Sequence, residues 1–161
     1  MKIIGLEEHF AIPEVVQAWQ SLDGRSQDMA IKASTEGEGG RRLLDIGHER
    51  LSAMDDMGID VQVLSLTTPG VQNLPADAAI HLASTSNDRI AAATQKHPDR
   101  FQGFATLPTP TPYDAARELE RAVRISASRE PWSSDAPEIA TLIIRTTGRS
   151  SRWLRRAGIQ R

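Results

Sequence analysis

The feature that most constrains the fold is an alternation of short apolar runs with helical patterns over residues 3–124. Each apolar run is too short for a helix and is typical of a buried strand. These runs lie at Ile3–Leu6, Ile59–Leu66 and Phe101–Leu107. Apolar residues at helical spacing predict helices over Arg41–Met57, Ala76–Lys96 and Tyr113–Arg124. Strands that alternate with helices pair in parallel through right-handed crossovers, so the predicted fold class is α/β.

The segment Ala11–Gly40 follows the first predicted strand and lacks a strong periodicity. We expect it to be irregular, apart from a short helix in the sequence EVVQAW that follows Pro13. Its place directly after the strand fits either a cover over a pocket or a surface loop.

Composition excludes several classes of protein. A chain of 161 residues falls in the range of one domain. Cysteine is absent, which rules out disulfides and thiolate metal ligands within this sequence. A net charge of -2 gives no reason to expect nucleic acid or an anionic membrane as partner. No apolar run approaches the roughly 18 residues of a membrane span, and no signal peptide is visible, so we expect a cytoplasmic protein.

The polar residues at the end of the first strand suit a metal site. Side chains alternate along a strand, which predicts that Glu7 and His9 point to one face and Glu8 to the other. A carboxylate beside an imidazole is half of a site for Zn or Mn; a solvated strand end is the alternative. The polar strand-end residues Ser65, Thr67 and Thr106 belong to the same edge of a parallel sheet. We do not expect the three remaining histidines to be metal ligands: His48, His81 and His97.

Four segments together resemble the metal-dependent decarboxylase branch of the amidohydrolase superfamily. They read LEEHFAIPE, LLDIGHERLSAMDDMGIDVQVLSL, TPGVQ and HPDRFQGFATLP. The branch includes γ-resorcylate (2,6-dihydroxybenzoate) decarboxylase and aminocarboxymuconate-semialdehyde decarboxylase. The resemblance runs from about residue 3 to residue 124 and implies the first three βα units of a (β/α)₈ TIM barrel. A complete barrel of this type needs ~250 residues.

The resemblance also implies a function and its residues. Glu7 and His9 are the family's two ligands on the first strand for one divalent metal, Zn or Mn. Ser65, Pro69 and Gln72 would line the pocket for a small aromatic carboxylic acid, which loses its carboxyl group without oxidation. A metal-dependent hydrolase of the same superfamily is the alternative reaction. The family's other ligands and its catalytic His come from later strands, so this chain carries no predicted catalytic residue. As a fragment, it is expected neither to retain the metal nor to be active alone.

Two further expectations concern the limits of the fragment. Three parallel strands cannot close into a barrel, so exposed edges and an apolar face predict self-association. Residues 125–161 hold seven arginines, no lysine and three acidic residues, a charge of +4 against -6 for residues 1–124.

We hypothesise that this tail, which we expect to be poorly ordered, is the same gene read in a shifted frame from near Arg124. With suitable codons for the tail, the same nucleotides can be read in a frame that starts at the third base of each codon. That frame can encode GAMV, which is typical of a fourth strand, and then DHPDYWPIFEVAAA, which is typical of the start of a helix. The alternative is a genuine basic tail, in which case the chain is a non-enzymatic fragment that binds an acidic partner.

Overall fold

Three parallel strands form the sheet against which the helices pack. The computed structural model describes residues 1–23 and 29–127. The strands are β1 (Ile4–Phe10), β2 (Val61–Leu66) and β3 (Phe101–Gly103), in the spatial order β1-β2-β3. The described helices are α1 (Pro13–Gln20), α2 (Met29–Thr35), α3 (Gly37–Leu44), α4 (His48–Met57), α5 (Ala76–Lys96) and α6 (Pro112–Ala127). Both strand pairs are parallel, so the predicted α/β fold with three βα units is confirmed.

The apolar core lies between the sheet and the helices. Phe10, Leu64 and Phe101 contribute one buried side chain from each strand. Trp19 from α1 and Met54 from α4 are fully buried in the same cluster, as are several small residues of α5. The alanine-rich face of α5 lets this long helix approach the sheet closely. At Gly103 a Cβ atom would lie 2.1 Å from Cγ2 of Ile90, so the close approach requires glycine.

The prediction that the first apolar run is buried is wrong. Ile3, Ile4 and Leu6 have exposed fractions of 47%, 46% and 64%. The reason is that β1 is an edge strand, paired with β2 alone in the part of the chain that the structure describes. An apolar face of β1 therefore stays open, as predicted for a sheet that does not close.

The prediction of one helix over Arg41–Met57 is also wrong, because the helix is interrupted after Leu44. The carboxylate of Asp45 accepts hydrogen bonds from the backbone N–H groups of Gly47 and Arg50, both at 2.8 Å. These bonds satisfy donors at the start of a new helix, α4, so that a local cap replaces the helical continuation. Gly58 ends α4 in the left-handed conformation, with φ of 69°.

Three other boundaries differ from the sequence prediction. The segment Ala11–Gly40, expected to be irregular apart from one short helix, contains α1, α2 and the start of α3. The ladder of β3 ends at Gly103 instead of Leu107, although the N–H of Phe104 still donates to Leu64 O at 2.8 Å. Helix α6 continues past Arg124 to Ala127.

Residues 128–161, which hold nearly all of the predicted shifted-frame tail, lie outside the described residues. No described helix is long and apolar enough to cross a membrane.

Candidate metal and substrate site

The carboxyl ends of β1 and β2 bring two predicted site residues side by side. His9 and Ser65 are direct partners in the parallel register of the two strands. Paired residues in a sheet project to the same face, so the imidazole and the hydroxyl lie on one side of the sheet. The His9 side chain is exposed, whereas Ser65 Oγ is buried and has no hydrogen-bond partner. A buried hydroxyl without a partner is a polar group that a ligand at this edge could satisfy.

Glu7 lies in an irregular part of β1. The register with β2 shifts between Gly5 and Glu8, and Glu7 has a φ of 58°. It is the one non-glycine residue with positive φ among those the structure describes. Such a conformation is rare for a residue with a side chain and is found at functional sites more often than elsewhere. The strict alternation that motivated pairing Glu7 with His9 is interrupted here, so their joint role as metal ligands stays a prediction.

From Glu8 onward the strand is regular, and the alternation applies. Glu8 aligns with Leu64, whose side chain lies in the core, and its carboxylate accepts a hydrogen bond from Gln62 at 3.3 Å. The same carboxylate lies over Gly5, where a Cβ would come 2.4 Å from Glu8 Oε1. Glu8 therefore faces the helices, and His9 faces the opposite side.

The loop after β2 carries the other two predicted pocket residues. Pro69 is half-buried and Gln72 is exposed. The indole N–H of Trp19 donates to Gly70 O at 2.8 Å, which ties this loop to α1. The carboxamide oxygen of Gln72 accepts a hydrogen bond from the Thr109 hydroxyl, in the loop after β3. Hydrogen bonds thus join the loop after β2 to α1 and to the loop after β3.

The segment after β3 is fixed by a side chain that sequence reasoning did not place in the site. The buried Asn87 of α5 donates to Thr106 O at 2.9 Å and accepts from Thr106 N at 2.7 Å. It also donates to the Glu118 carboxylate at 2.7 Å. The Arg121 guanidinium also donates hydrogen bonds to that carboxylate, and these bonds raise the pKa of Arg121. The signal available in the sequence was an asparagine near the apolar side of an amphipathic helix.

The other described histidines lie away from this edge or are solvated. His48 and His81 are exposed. His97 ends α5 and packs edge-on against Phe101, with 5.9 Å between ring centroids, at the start of β3. A surface depression of about 470 Å³ lies next to Gly58 and Arg100. It is at the amino-terminal end of the strands, opposite the end that carries His9 and Ser65. Parallel α/β sheets build their sites at the carboxyl ends, so we do not assign the site to this depression.

A comparison with protein-family models matches residues 30–140 to the model described as Amidohydrolase. The chain belongs to the amidohydrolase family. The γ-resorcylate decarboxylase of Rhodococcus jostii (strain RHA1) is 42% identical over 121 residues, which cover 74% of this chain and 34% of that protein. This amidohydrolase chain therefore spans about a third of the length of the curated relatives it matches.

Solved structures of relatives match the fold of this chain over about three quarters of its length. The 5-carboxyvanillate decarboxylase of Novosphingobium aromaticivorans, with bound manganese, has a TM-score of 0.68 and 36% identity. The match covers 76% of this chain and 39% of that one. A 2,6-dihydroxybenzoate decarboxylase complexed with 2,6-dihydroxybenzoate has a TM-score of 0.61 and 42% identity, over 77% of this chain and 36% of that one. The predicted resemblance to decarboxylases of this family is confirmed, as is the partial barrel.

The donors present in this amidohydrolase chain fit part of a metal site. A carboxylate and an imidazole suit Mn²⁺ or Zn²⁺ in the absence of thiolates. Catalytic metal sites commonly use three protein ligands. Among residues 1–23 and 29–127, no group of three or more His, Cys, Asp or Glu side chains could hold a metal ion. Glu7 and His9 would therefore supply two positions of a coordination sphere that needs donors from elsewhere.

Proposed function

We propose that this chain forms the first three βα units of a metal-dependent decarboxylase that acts on an aromatic carboxylic acid. The observation that carries the proposal is the 42% identity with γ-resorcylate decarboxylase over the three units. The position of His9 and Ser65 at the carboxyl ends of adjacent parallel strands supports it, because barrel enzymes build their active sites there.

The residues of the chain take separate roles in this proposal. Glu7 and His9 would hold one divalent ion, Mn²⁺ or Zn²⁺. The bound ion would supply Lewis-acid chemistry and orient the acid. The Ser65 hydroxyl, buried and without a partner, would donate a hydrogen bond to an oxygen of the substrate. Pro69 and Gln72 would line the same pocket from the loop after β2.

The proposal is tested by restoring the rest of the barrel. Residues 1–124 would replace the corresponding segment of a γ-resorcylate decarboxylase, and turnover of 2,6-dihydroxybenzoate would be measured with Mn²⁺. We expect the chimera to release CO₂ and a His9→Ala chimera to lose at least a hundredfold in rate. The 161-residue chain alone should show no turnover and no stoichiometric metal. A folded chimera that is inactive with every hydroxylated benzoate tried would refute the assignment.

We further propose that the chain self-associates through β1. The exposed Ile4 and Leu6 lie on a strand whose outer edge would pair with the last strand of a closed barrel. Sedimentation velocity should show oligomers at micromolar concentration, and Leu6→Lys should shift them toward the monomer. A monomer at all concentrations would refute this proposal.

The shifted reading frame after Arg124 also remains our proposal. It rests on the change of composition at residue 125 and on the 121 residues over which the curated relative aligns. The family match extends to residue 140, which is into this segment. Sequencing the gene across the codon for Arg124 decides the question. A verified frame, with no homologous alternative frame nearby, would refute it.

A further inference from the structure

Arg50 makes an unusual set of contacts for a helix residue. Its guanidinium donates to the backbone oxygens of His9 at 2.8 Å and Asp45 at 2.7 Å, and to the side-chain oxygen of Gln62 at 3.2 Å. Burial lowers the pKa of Arg50, while the nearby carboxylates of Asp45 and Glu8 act in the opposite direction. An arginine remains charged in such surroundings, so these are charge-assisted hydrogen bonds.

The contact with His9 falls on the edge of β1 that faces away from β2. The carbonyl of Phe10 accepts from the N–H of Thr67 at 2.9 Å, on the β2 side. Backbone groups of successive residues in a strand point to alternate sides, so the His9 carbonyl points to the outer edge. The Ala11 N–H, on that same edge, donates to Leu43 O at 2.8 Å. Arg50 therefore supplies a hydrogen-bond donor to the His9 carbonyl on the outer edge of β1.

The same guanidinium also connects to the regular side of β1. Its partner Gln62 is buried and donates to the Glu8 carboxylate at 3.3 Å. Glu8 directly follows the register shift, and His9 follows Glu8. The Arg50 guanidinium thus contacts the backbone of His9 directly and reaches the side chain of Glu8 through Gln62.

We propose that Arg50 is a positioning residue that holds the His9 backbone so that the imidazole faces the site beside Ser65. This inference rests on the proposed metal site, because positioning His9 serves a function only if the imidazole binds a ligand there. The alternative is that Arg50 contributes to stability alone, without fixing the direction of the imidazole.

The test uses NMR of the full 161-residue chain and two readouts. The first, without metal, is the set of nuclear Overhauser effects between the His9 ring and the Ser65 side chain. The second is paramagnetic broadening of His9 during titration with Mn²⁺, from which we expect a Kd of about 1 mM, too weak to retain the ion on purification. Arg50→Ala should remove the Overhauser effects and weaken Mn²⁺ binding at least tenfold.

Arg121→Ala is the matched control. Arg121 is a partly buried arginine of α6 with hydrogen bonds to Glu118, Asp88 and the Ser84 carbonyl, so its loss should also destabilise the fold. It is expected to change neither readout by more than twofold. If Arg121→Ala alters both readouts as much as Arg50→Ala does, Arg50 acts through stability and the proposal is overturned.

A second variant covers the case in which Arg50→Ala does not fold. Arg50→Lys keeps the charge, but its single ammonium group cannot reach His9 O, Asp45 O and Gln62 together, so the Overhauser effects should weaken. A folded Arg50→Ala or Arg50→Lys chain with wild-type effects would overturn the proposal. If the wild-type chain shows no broadening at His9, the proposed metal site is refuted, and the metal-free readout still decides the role of Arg50.

Discussion

Glu7 is the residue at which stability and the proposed function are expected to conflict. Its φ of 58° lies in the left-handed region, which costs a residue with a side chain about 1–2 kcal/mol. Glycine avoids that penalty but loses about 0.5–1 kcal/mol more in conformational entropy on folding. Glu7→Gly should therefore raise the free energy of unfolding by about 0.5–1 kcal/mol, whereas most substitutions lower it. The same substitution removes a proposed metal ligand.

The matched control is Glu8→Gly, one residue further along the strand. Glu8 lies in the regular part of β1 and accepts the hydrogen bond from Gln62, so this substitution should lower the free energy of unfolding by about 1–2 kcal/mol. Urea unfolding followed by far-UV circular dichroism gives both values. The reasoning is refuted if Glu7→Gly destabilises the chain as much as Glu8→Gly.

Three further substitutions test the contacts around the site and on the surface. Asn87→Ala should lower the free energy of unfolding by about 2–4 kcal/mol in urea, because two hydrogen bonds to the backbone after β3 are lost. Trp19→Phe should lower it by about 1–3 kcal/mol, since the carbonyl of the buried Gly70 loses its donor; a change below about 0.5 kcal/mol would contradict this. Hydrogen bonds from Arg41 and, with a smaller effect, from Arg42 lower the pKa of Glu38 from 4.5 to about 2. The wild-type chain should therefore be more stable than Glu38→Gln above pH 4.5, and urea midpoints should converge as the pH falls through about 2.

The parts of the fold that depend on local sequence could be predicted. Helix α5 covers Ala76–Lys96, and the range predicted from its apolar periodicity is therefore confirmed. Gly58 marks the end of α4. The break near Asp45 was missed because apolar periodicity continues across it, while a side-chain cap competes locally with the helix.

The parts that depend on distant contacts could not be predicted. The exposure of Leu6 follows from the missing neighbour of β1, whereas an apolar run in sequence indicates a buried strand. The irregular backbone at Glu7 coincides with a shift in the register between β1 and β2, which no local pattern in the sequence indicates. Arg50 lies 41 residues from His9 along the chain, and no periodicity indicates that they touch. Sequence reasoning placed His9 and Ser65 at the same edge of the sheet, but it could not identify the residues that hold them there.

The most direct test of the central claim is the manganese content of the chimeric barrel. Plasma mass spectrometry would compare the chimera that carries residues 1–124 with its Glu7→Gln, His9→Ala and Glu8→Gln variants. We predict one manganese per barrel in the parent and in Glu8→Gln, and less than a tenth of that in Glu7→Gln and His9→Ala. A folded His9→Ala chimera that keeps its manganese, or a Glu8→Gln chimera that loses it, would contradict the assignment of Glu7 and His9 as the metal ligands.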